Sequence, residues 1–302
     1  MKFLSVAELA EKWNLTPRRV RMLCSEGKLE GAYLVGKTWN IPEDTVKPVD
    51  RRVNTEEKLA TLDSIDELKK RIDECRQLTQ GESDRINEEF LIEFTHDSNA
   101  IEGNTLTLKE TALVLQGITI DRKPLKDHME AIGHRDAFYY VLDVVRNREV
   151  LTEFVIKKIH SLVLMDKPDD KGVYRKLPVA INGSNYTPPQ PYLVAKQMED
   201  LVLNVREWQV TKHIAEQVAL FHLVFESIHP FIDGNGRTGR LLLNLKLMQQ
   251  GYPPINIKFH DRKKYYACFE DYHKTDTPKT MTRLVARLLE GEMKKYLKRF
   301  EK

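Results

Sequence analysis

The chain has 302 residues, 41% hydrophobic and 31% charged, with a formal net charge of +3, so it can bury one large core or two smaller ones. No apolar run approaches the ~18 residues of a membrane span, and Met1 to Ser5 leads into amphipathic sequence without the apolar stretch of a signal peptide, which argues against a membrane partner. Three cysteines (Cys24, Cys75, Cys268) are odd in number and form no C-x-x-C, as expected of reduced thiols in a cytoplasmic protein.

Ser5-Val6-Ala7-Glu8 reads as a capping box opening a helix to about Trp13. Asn14-Leu15 turns the chain. Thr16-Pro17 then supplies an N-cap and an N1 proline for a second helix to about Glu26, stopped by Gly27. Residues 33–35 and 38–41 flank Gly36-Lys37 as a hairpin or wing. Residues 1–48 resemble the small winged helix-turn-helix of excisionase and MerR-like proteins, which implies DNA contacts from Arg18, Arg19 and Arg21 at the start of the second helix. Residues 1–52 hold 10 Lys/Arg against 7 Asp/Glu and the remainder 38 of each, so the whole positive excess lies here. Net +3 is modest for a phosphate-binding surface, and a docking or dimerising module fits the same sequence.

Pro48 to Asn54 reads as a linker, and a helix from about Thr55 to Leu78 follows, with apolar residues at 59, 62, 65, 68 and 72, ending at Gly81. Residues 49–85 are therefore a linker and connecting helix. From Ile86 the period is helical again, with Phe90, Leu91, Phe94 and Ile101 on one face, and 113–115 following. Further helices are expected at about 127–147, 152–165, 191–208, 212–228, 236–250, 261–274 and 278–299. Between them, 172–189 alternates apolar residues with glycine and paired prolines, as a short β-hairpin would. Residues 109–302 thus read as nearly all-α.

Residues 229–240 carry the chemistry: His229-Pro230-Phe231-Ile232-Asp233-Gly234-Asn235-Gly236-Arg237-Thr238-Gly239-Arg240. They hold a base, a hard carboxylate, an amide between two glycines and two guanidiniums three residues apart, ahead of the apolar run 241–248. Glycine-rich backbone opening a helix presents free N–H groups and the positive dipole end, which suits phosphate. A dinucleotide-binding G-x-G-x-x-G would need a preceding strand, whereas apolar residues at 215, 218, 219, 222, 225 and 228 have a helical period. A metal pair of His229 and Asp233 would need an unbroken helix, against Pro230 and Gly234.

This string resembles, position for position, the Fic signature H-x-F-x-[DE]-G-N-G-R-x-x-R. The resemblance implies a Fic-type helical bundle whose members move a nucleotide monophosphate, usually AMP from ATP, onto a protein hydroxyl. Doc-type kinases usually carry Lys where this chain has Gly236, which favours nucleotidyl over phosphoryl transfer. By the resemblance His229 is the catalytic base, and Asp233 holds Mg²⁺, with Mn²⁺ as an alternative. Nucleotide phosphates are then expected on Asp233, Gly234, Asn235, Gly236, Arg237, Thr238, Gly239 and Arg240, with Arg240 on the γ-phosphate.

Ser98-Asn99-Ala100-Ile101-Glu102-Gly103 is similar to the family's inhibitory motif [ST]-x-x-x-E-[GN], which makes Ser98 and Glu102 regulatory and 86–108 an inhibitory helix region. A glutamate at a helix end can pair with Arg240 in place of phosphate. Residues 172–189 resemble the family's flap, a hairpin over the active site that pairs with a target segment and presents its hydroxyl, with Ile181, Asn182, Gly183 and Ser184 nearest the nucleotide. The family uses a tyrosine at Tyr265, and often an asparagine eight residues later, to hold adenine; here that later residue is His273. The expected fold is mainly α: a winged helix-turn-helix, then a Fic-type bundle with a β-hairpin flap. The expected activity is an auto-inhibited protein adenylyltransferase acting on Ser, Thr or Tyr of a target and of itself, able also to remove AMP, and controlled in a homo-dimer. The alternative is a DNA-binding transcriptional regulator whose Fic domain senses nucleotide.

Overall fold

The computed structural model describes residues 3–13, 16–29, 31–36, 38–45, 62–181 and 183–300, without the Arg19 side chain. The chain divides into two compact units, Met1–Leu59 and Ala60–Lys302. The expected turn at Asn14-Leu15, the Pro48 to Asn54 linker and the first residues of the connecting helix lie outside the described residues.

In the first unit, strand β1 (Phe3–Leu4) leads into helices α1 (Val6–Trp13) and α2 (Pro17–Ser25), then strands β2 (Tyr33–Val35) and β3 (Thr38–Pro42). The capping box opens α1 as expected: Ser5 N–H donates to Glu8 Oε2 at 2.8 Å and Glu8 N–H to Ser5 Oγ at 3.3 Å. Gly27 leaves α2 at φ 66° and Gly36 turns the β2–β3 hairpin at φ 62°, conformations that glycine adopts without a Cβ penalty. The strands are antiparallel in the order β1-β3-β2, with Leu4 opposite Ile41 and Val35 opposite Thr38. Leu9, Val20, Leu23, Leu29 and Ile41 close a small core beneath them.

The second unit is helical: α3 (Leu62–Asp73), α4 (Gln80–Ile101), α5 (Leu108–Leu115), α6 (Leu125–Arg146), α7 (Glu153–Val163), α8 (Pro191–Thr211), α9 (Ile214–Ile228), α10 (Asn235–Gln249), α11 (Arg262–Thr275) and α12 (Lys279–Leu297). Gly81 does not separate two helices as its sequence position suggests. It lies in the first turn of α4, where a reciprocal Thr79–Glu82 capping box satisfies the helix start and outweighs the glycine.

Helices α9 and α10 are buried on nearly every side and lie inside the bundle, α9 being largely apolar. Leu241, Leu242 and Leu245 of α10 join one core with α6, α7 and α8. Leu243 and Leu247 face a second core with α3, α11 and α12. Each such leucine, buried to 1% or less, is worth about 1.5–3 kcal/mol. The buried Asn244 is satisfied by the backbone of Ile255, accepting its N–H at 2.8 Å and donating to its C=O at 3.0 Å.

Residues 172–190 form an irregular loop with no strand among those described, in place of the expected hairpin. Pro178, Pro188 and Pro189 lack the N–H that a ladder needs. The Arg175 N–H donates instead to Pro230 O at 2.9 Å, tying the loop to the start of the 229–240 string.

Candidate active site

Helix α9 must end at Pro230, and it does so with His229 in the left-handed region at φ 48° and ψ 60°. For a residue with a Cβ this costs energy and persists only where the surroundings over-determine it. Arg175 does that here. Buried at 5% exposure, it donates from Nε to His229 O (2.8 Å), from Nη2 to Pro189 O (2.6 Å) and Ile228 O (3.4 Å), and from Nη1 to Leu177 O (3.2 Å). One guanidinium thus satisfies the carbonyls at the helix end and opposes its dipole. His229 Nδ1 faces the Glu226 carbonyl at 3.3 Å, so the proton belongs on Nδ1 and the Nε2 lone pair is free. Burial, opposed by that carbonyl and assisted by the Arg175 charge, holds the imidazole below its ordinary pKa and therefore neutral.

The loop from Phe231 to Gly234 is closed by its own residues. Asn235 Oδ1 accepts from Phe231 N–H at 2.9 Å and Asn235 Nδ2 donates to Phe231 O at 2.9 Å. This amide builds the loop, and Asn235 also borders the cleft. Beneath it the Gly172 N–H donates to His160 Nδ1 at 2.8 Å, which leaves His160 Nε2–H to donate to Asp233 O at 2.9 Å. Its ring stacks on Phe231 with centroids 3.6 Å apart, and burial lowers its pKa to about 4. Gly234, at φ 74°, then turns the chain into α10 with no side chain capping the helix start. The first-turn N–H groups of α10 are thereby left pointing at the cleft, a ready anion site.

Asp233 lies at the cleft edge, where Gly234 N–H donates to its Oδ1 at 2.6 Å and Lys167 Nζ contacts its Oδ2 at 2.6 Å. Burial works against ionisation, but the Lys167 hydrogen bond, the Arg237 charge and the Gly234 N–H hold the carboxyl below its usual range. An ionised hard oxygen already in contact with a cation fits Mg²⁺ or Mn²⁺ in its donor chemistry. Among the described residues no cluster of three or more His, Cys, Asp or Glu could hold a metal, so a cation on Asp233 would take its remaining ligands from outside such a cluster. Arg237 is buried beside it, 3.0 Å from Glu130 Oε1 and 3.7 Å from Asp233 Oδ1.

Arg240 is 2% exposed and stands where α10 meets the end of α4. Its Nε donates to Ser98 Oγ at 3.0 Å, and its Nη2 to Ser98 O at 2.7 Å and to Glu102 Oε1 at 2.8 Å. The contact with Glu102 uses one carboxylate oxygen, Ser98 filling the rest of that edge. Glu102 also covers Gly236, whose missing side chain makes the approach feasible: a Cβ there would collide with Glu102 Oε1.

His229, Asp233 to Arg237, Arg240 and Glu102 line one cleft of about 670 Å³ in the Ala60–Lys302 unit. Ile181, Gly183 and Ser184 border it on the 172–190 loop, while Asn182 lies outside the described residues. Tyr265 is 1% exposed, with its OH 2.8 Å from His222 Nε2; its neighbour Tyr266, 44% exposed, offers the more accessible ring. His273 also lines the cleft, stacked on Tyr186 with centroids 3.7 Å apart and with its Nε2 2.9 Å from Ser227 Oγ. Thr238 is fully buried and Gly239 packs against His222 and Glu226 of α9; neither is among the lining residues. Arg18 and Arg21 are exposed on α2 of the other unit. Lys167, Arg175, His160 and Glu226 were not singled out by sequence. His160, Lys167 and Arg175 act through partners far along the chain.

Residues 150–247 match the Fic/DOC family. Over 270 residues the chain is 35% identical to the protein adenylyltransferase Fic of Nematostella vectensis, covering 84% of this chain and 62% of that protein. It is 35% identical over 227 residues to the protein adenylyltransferase Fic of Drosophila yakuba, covering 74% of this chain and 43% of the relative. The chain therefore spans less than two thirds of these relatives. Among solved structures, a Fic domain-containing signaling protein from Bacteroides thetaiotaomicron superposes with a TM-score of 0.69 at 27% identity, covering 76% of this chain and 94% of that one. Fic-1 from C. elegans gives 0.67 at 28% identity, covering 82% and 73%. Residues 150–247 thus match the Fic/DOC domain, and the helical fold is of the Fic type.

Proposed function

We propose that the Ala60–Lys302 unit is an auto-inhibited protein adenylyltransferase, transferring AMP from ATP to a Ser, Thr or Tyr hydroxyl of a target protein and of itself. The observation that carries this reading is the convergence, in one cleft, of a neutral His229, an ionised Asp233, the uncapped start of α10 and Arg240. The target hydroxyl gives its proton to His229 Nε2 as its oxygen bonds to the α-phosphorus. The bond from that phosphorus to the α,β-bridging oxygen breaks, and pyrophosphate leaves. Arg237, Arg240 and the α10 N–H groups hold the phosphate charge as it moves onto the leaving group. Asp233 would hold a divalent cation, whose chemistry is to neutralise phosphate oxygens.

Inhibition follows from the Arg240 contacts. While Ser98 and Glu102 occupy the guanidinium, a γ-phosphate cannot, and the triphosphate lies out of line for attack. Glu102, on the cleft lining, is also suitably placed to orient a water for removal of AMP from a modified target.

The test uses purified protein, Mg²⁺ and ATP labelled at the α-phosphate. Strong label with Glu102→Gly, weak label with wild type and none with His229→Ala is the expected result. No label in any form, with ATP bound, would end the transferase reading. A second reading concerns the first unit, whose exposed Arg18 and Arg21 on α2, beside the β2–β3 hairpin, favour duplex DNA. It requires a salt-sensitive mobility shift that is lost with Arg18→Ala/Arg21→Ala.

A further inference from the structure

Glu226 is a carboxyl inside the cleft that the reaction above does not use. It lies one turn before His229 on α9, 12% exposed, with its Oε2 4.0 Å from His229 Nδ1. Its Oε1 is buried without a hydrogen-bond partner among the described residues. It packs against Gly239 so closely that a Cβ there would collide with it. Arg240, the residue after Gly239, has an unpartnered buried atom of its own, Nη1. Its other nitrogens are held by Ser98 and Glu102. A guanidinium edge whose one neighbour is Tyr265 and a buried carboxyl oxygen without a partner therefore border the same cleft wall. Such orphans are costly and need an explanation.

Charge supplies one. The groups facing Glu226 are Glu102 from the end of α4, His222 and His229 from α9, Arg240 from α10, and Tyr265 and Tyr266 from α11, with Lys263 and Glu270 farther along the cleft lining. With Glu102 in place, Arg240 already has its anion, and a second carboxylate would be buried unpaired. We propose that Glu226 is a second carboxyl for Arg240, protonated while Glu102 is in place and deprotonated when Glu102 withdraws, so that nucleotide entry at Arg240 takes up one proton. Glu226 is then a positioning residue, holding the guanidinium between the departure of Glu102 and the arrival of the γ-phosphate. The proposal rests on the reading of Arg240 as the γ-phosphate site.

The sign follows from the neighbours. Burial raises the Glu226 carboxyl, Arg240 lowers it and Glu102 raises it, to about 8 in the resting arrangement. Withdrawal of Glu102 removes a raising contribution and leaves Arg240 pulling alone, so the pKa falls. A triphosphate on Arg240 restores an anion and raises it again. Affinity in a released site is therefore full below the empty-site pKa. It weakens as pH rises through that value, by up to about tenfold per pH unit, and levels above the bound-site value. In wild type one anion replaces another on Arg240, so Glu226 ends protonated as it began and no net proton is taken up.

The experiment is calorimetric titration of the full chain with a non-hydrolysable ATP analogue and Mg²⁺, in buffers of different ionisation enthalpy, between pH 6 and 9. Glu102→Gly should take up close to one more proton per analogue bound than Glu102→Gly/Glu226→Gln, and wild type should resemble the double variant. Equal proton counts in the two Glu102→Gly backgrounds would overturn the proposal. Absence of any analogue binding would instead sink the nucleotide reading itself. Should the double variant fold poorly, infrared difference spectra of wild type against Glu226→Gln at pH 7 serve instead. They must show a protonated-carboxyl band only in wild type, and its absence would also refute the assignment.

Discussion

Replacing Glu102 by glutamine keeps the size of the side chain and removes only its charge, which separates an electrostatic lock from a steric plug. In the structure Glu102 Oε1 is 2.8 Å from Arg240 Nη2. At an effective dielectric constant of about 20, two unit charges at that distance attract by about 6 kcal/mol. Glu102 is 33% exposed, so water screens part of this. Ordering the glutamate and keeping it out of water cost more, which leaves about 2 kcal/mol, the usual worth of a charge-assisted hydrogen bond. That is about a 30-fold bias towards the closed arrangement, and the apparent nucleotide affinity of wild type is reduced by the same factor. Glu102→Gln should therefore tighten binding of a fluorescent ATP analogue about 10- to 30-fold at 0.15 M salt, approaching Glu102→Gly. Wild type alone should bind more tightly as salt is raised, because screening weakens the lock. If Glu102→Gln binds nucleotide as weakly as wild type while Glu102→Gly binds tightly, the ion pair is incidental and the reasoning from charge is wrong.

The remaining predictions concern the groups that prepare the cleft. Because burial and Arg175 hold His229 below its ordinary pKa of 6.5, the labelling rate of Glu102→Gly should persist as pH falls and reach half its plateau below pH 6.5; a midpoint above 7 would contradict a buried neutral base. Arg175→Met strips donors from four carbonyls and should cost about 3 kcal/mol. In a unit of this size that lowers Tm by about 6–12 °C, read by differential scanning calorimetry; an unchanged Tm would mean that the left-handed His229 is held by something else. Lys167→Ala frees Asp233 and should strengthen Mn²⁺ binding by up to about 5-fold, as an exposed ion pair is worth up to about 1 kcal/mol. Electron paramagnetic resonance of free Mn²⁺ measures it, and weaker binding in the variant would show that Lys167 assists the cation.

Residues 229–240 can be read from sequence because their geometry is made locally. Pro230 and Gly234 end one helix and begin the next, and Asn235 closes the loop onto Phe231 four residues away. Ser98 and Glu102 are legible only alongside that string, since nothing local says that Arg240, 138 residues from Glu102, will receive them. Arg175 and Lys167 are not legible because their meaning lies in long-range partners: a helix end 54 residues away from Arg175, or Asp233 66 residues from Lys167. The 172–189 alternation suggested a hairpin because it weighed side chains and neglected the missing donors of Pro178, Pro188 and Pro189. Gly81 looked like a boundary because the Thr79–Glu82 capping box was not weighed against it.

The placement of α9 and α10 between two cores bears on how such a site can be tuned over generations. Leu241 to Leu247 commit one helix to both cores, so substitutions there unsettle the entire bundle. Ser98 and Glu102, by contrast, meet the catalytic helix through Arg240 at the end of α4. Amide hydrogen exchange should accordingly find the middle of α10 opening only with global unfolding. A lineage could then reset the strength of restraint through two side chains while the chemistry stays as it was.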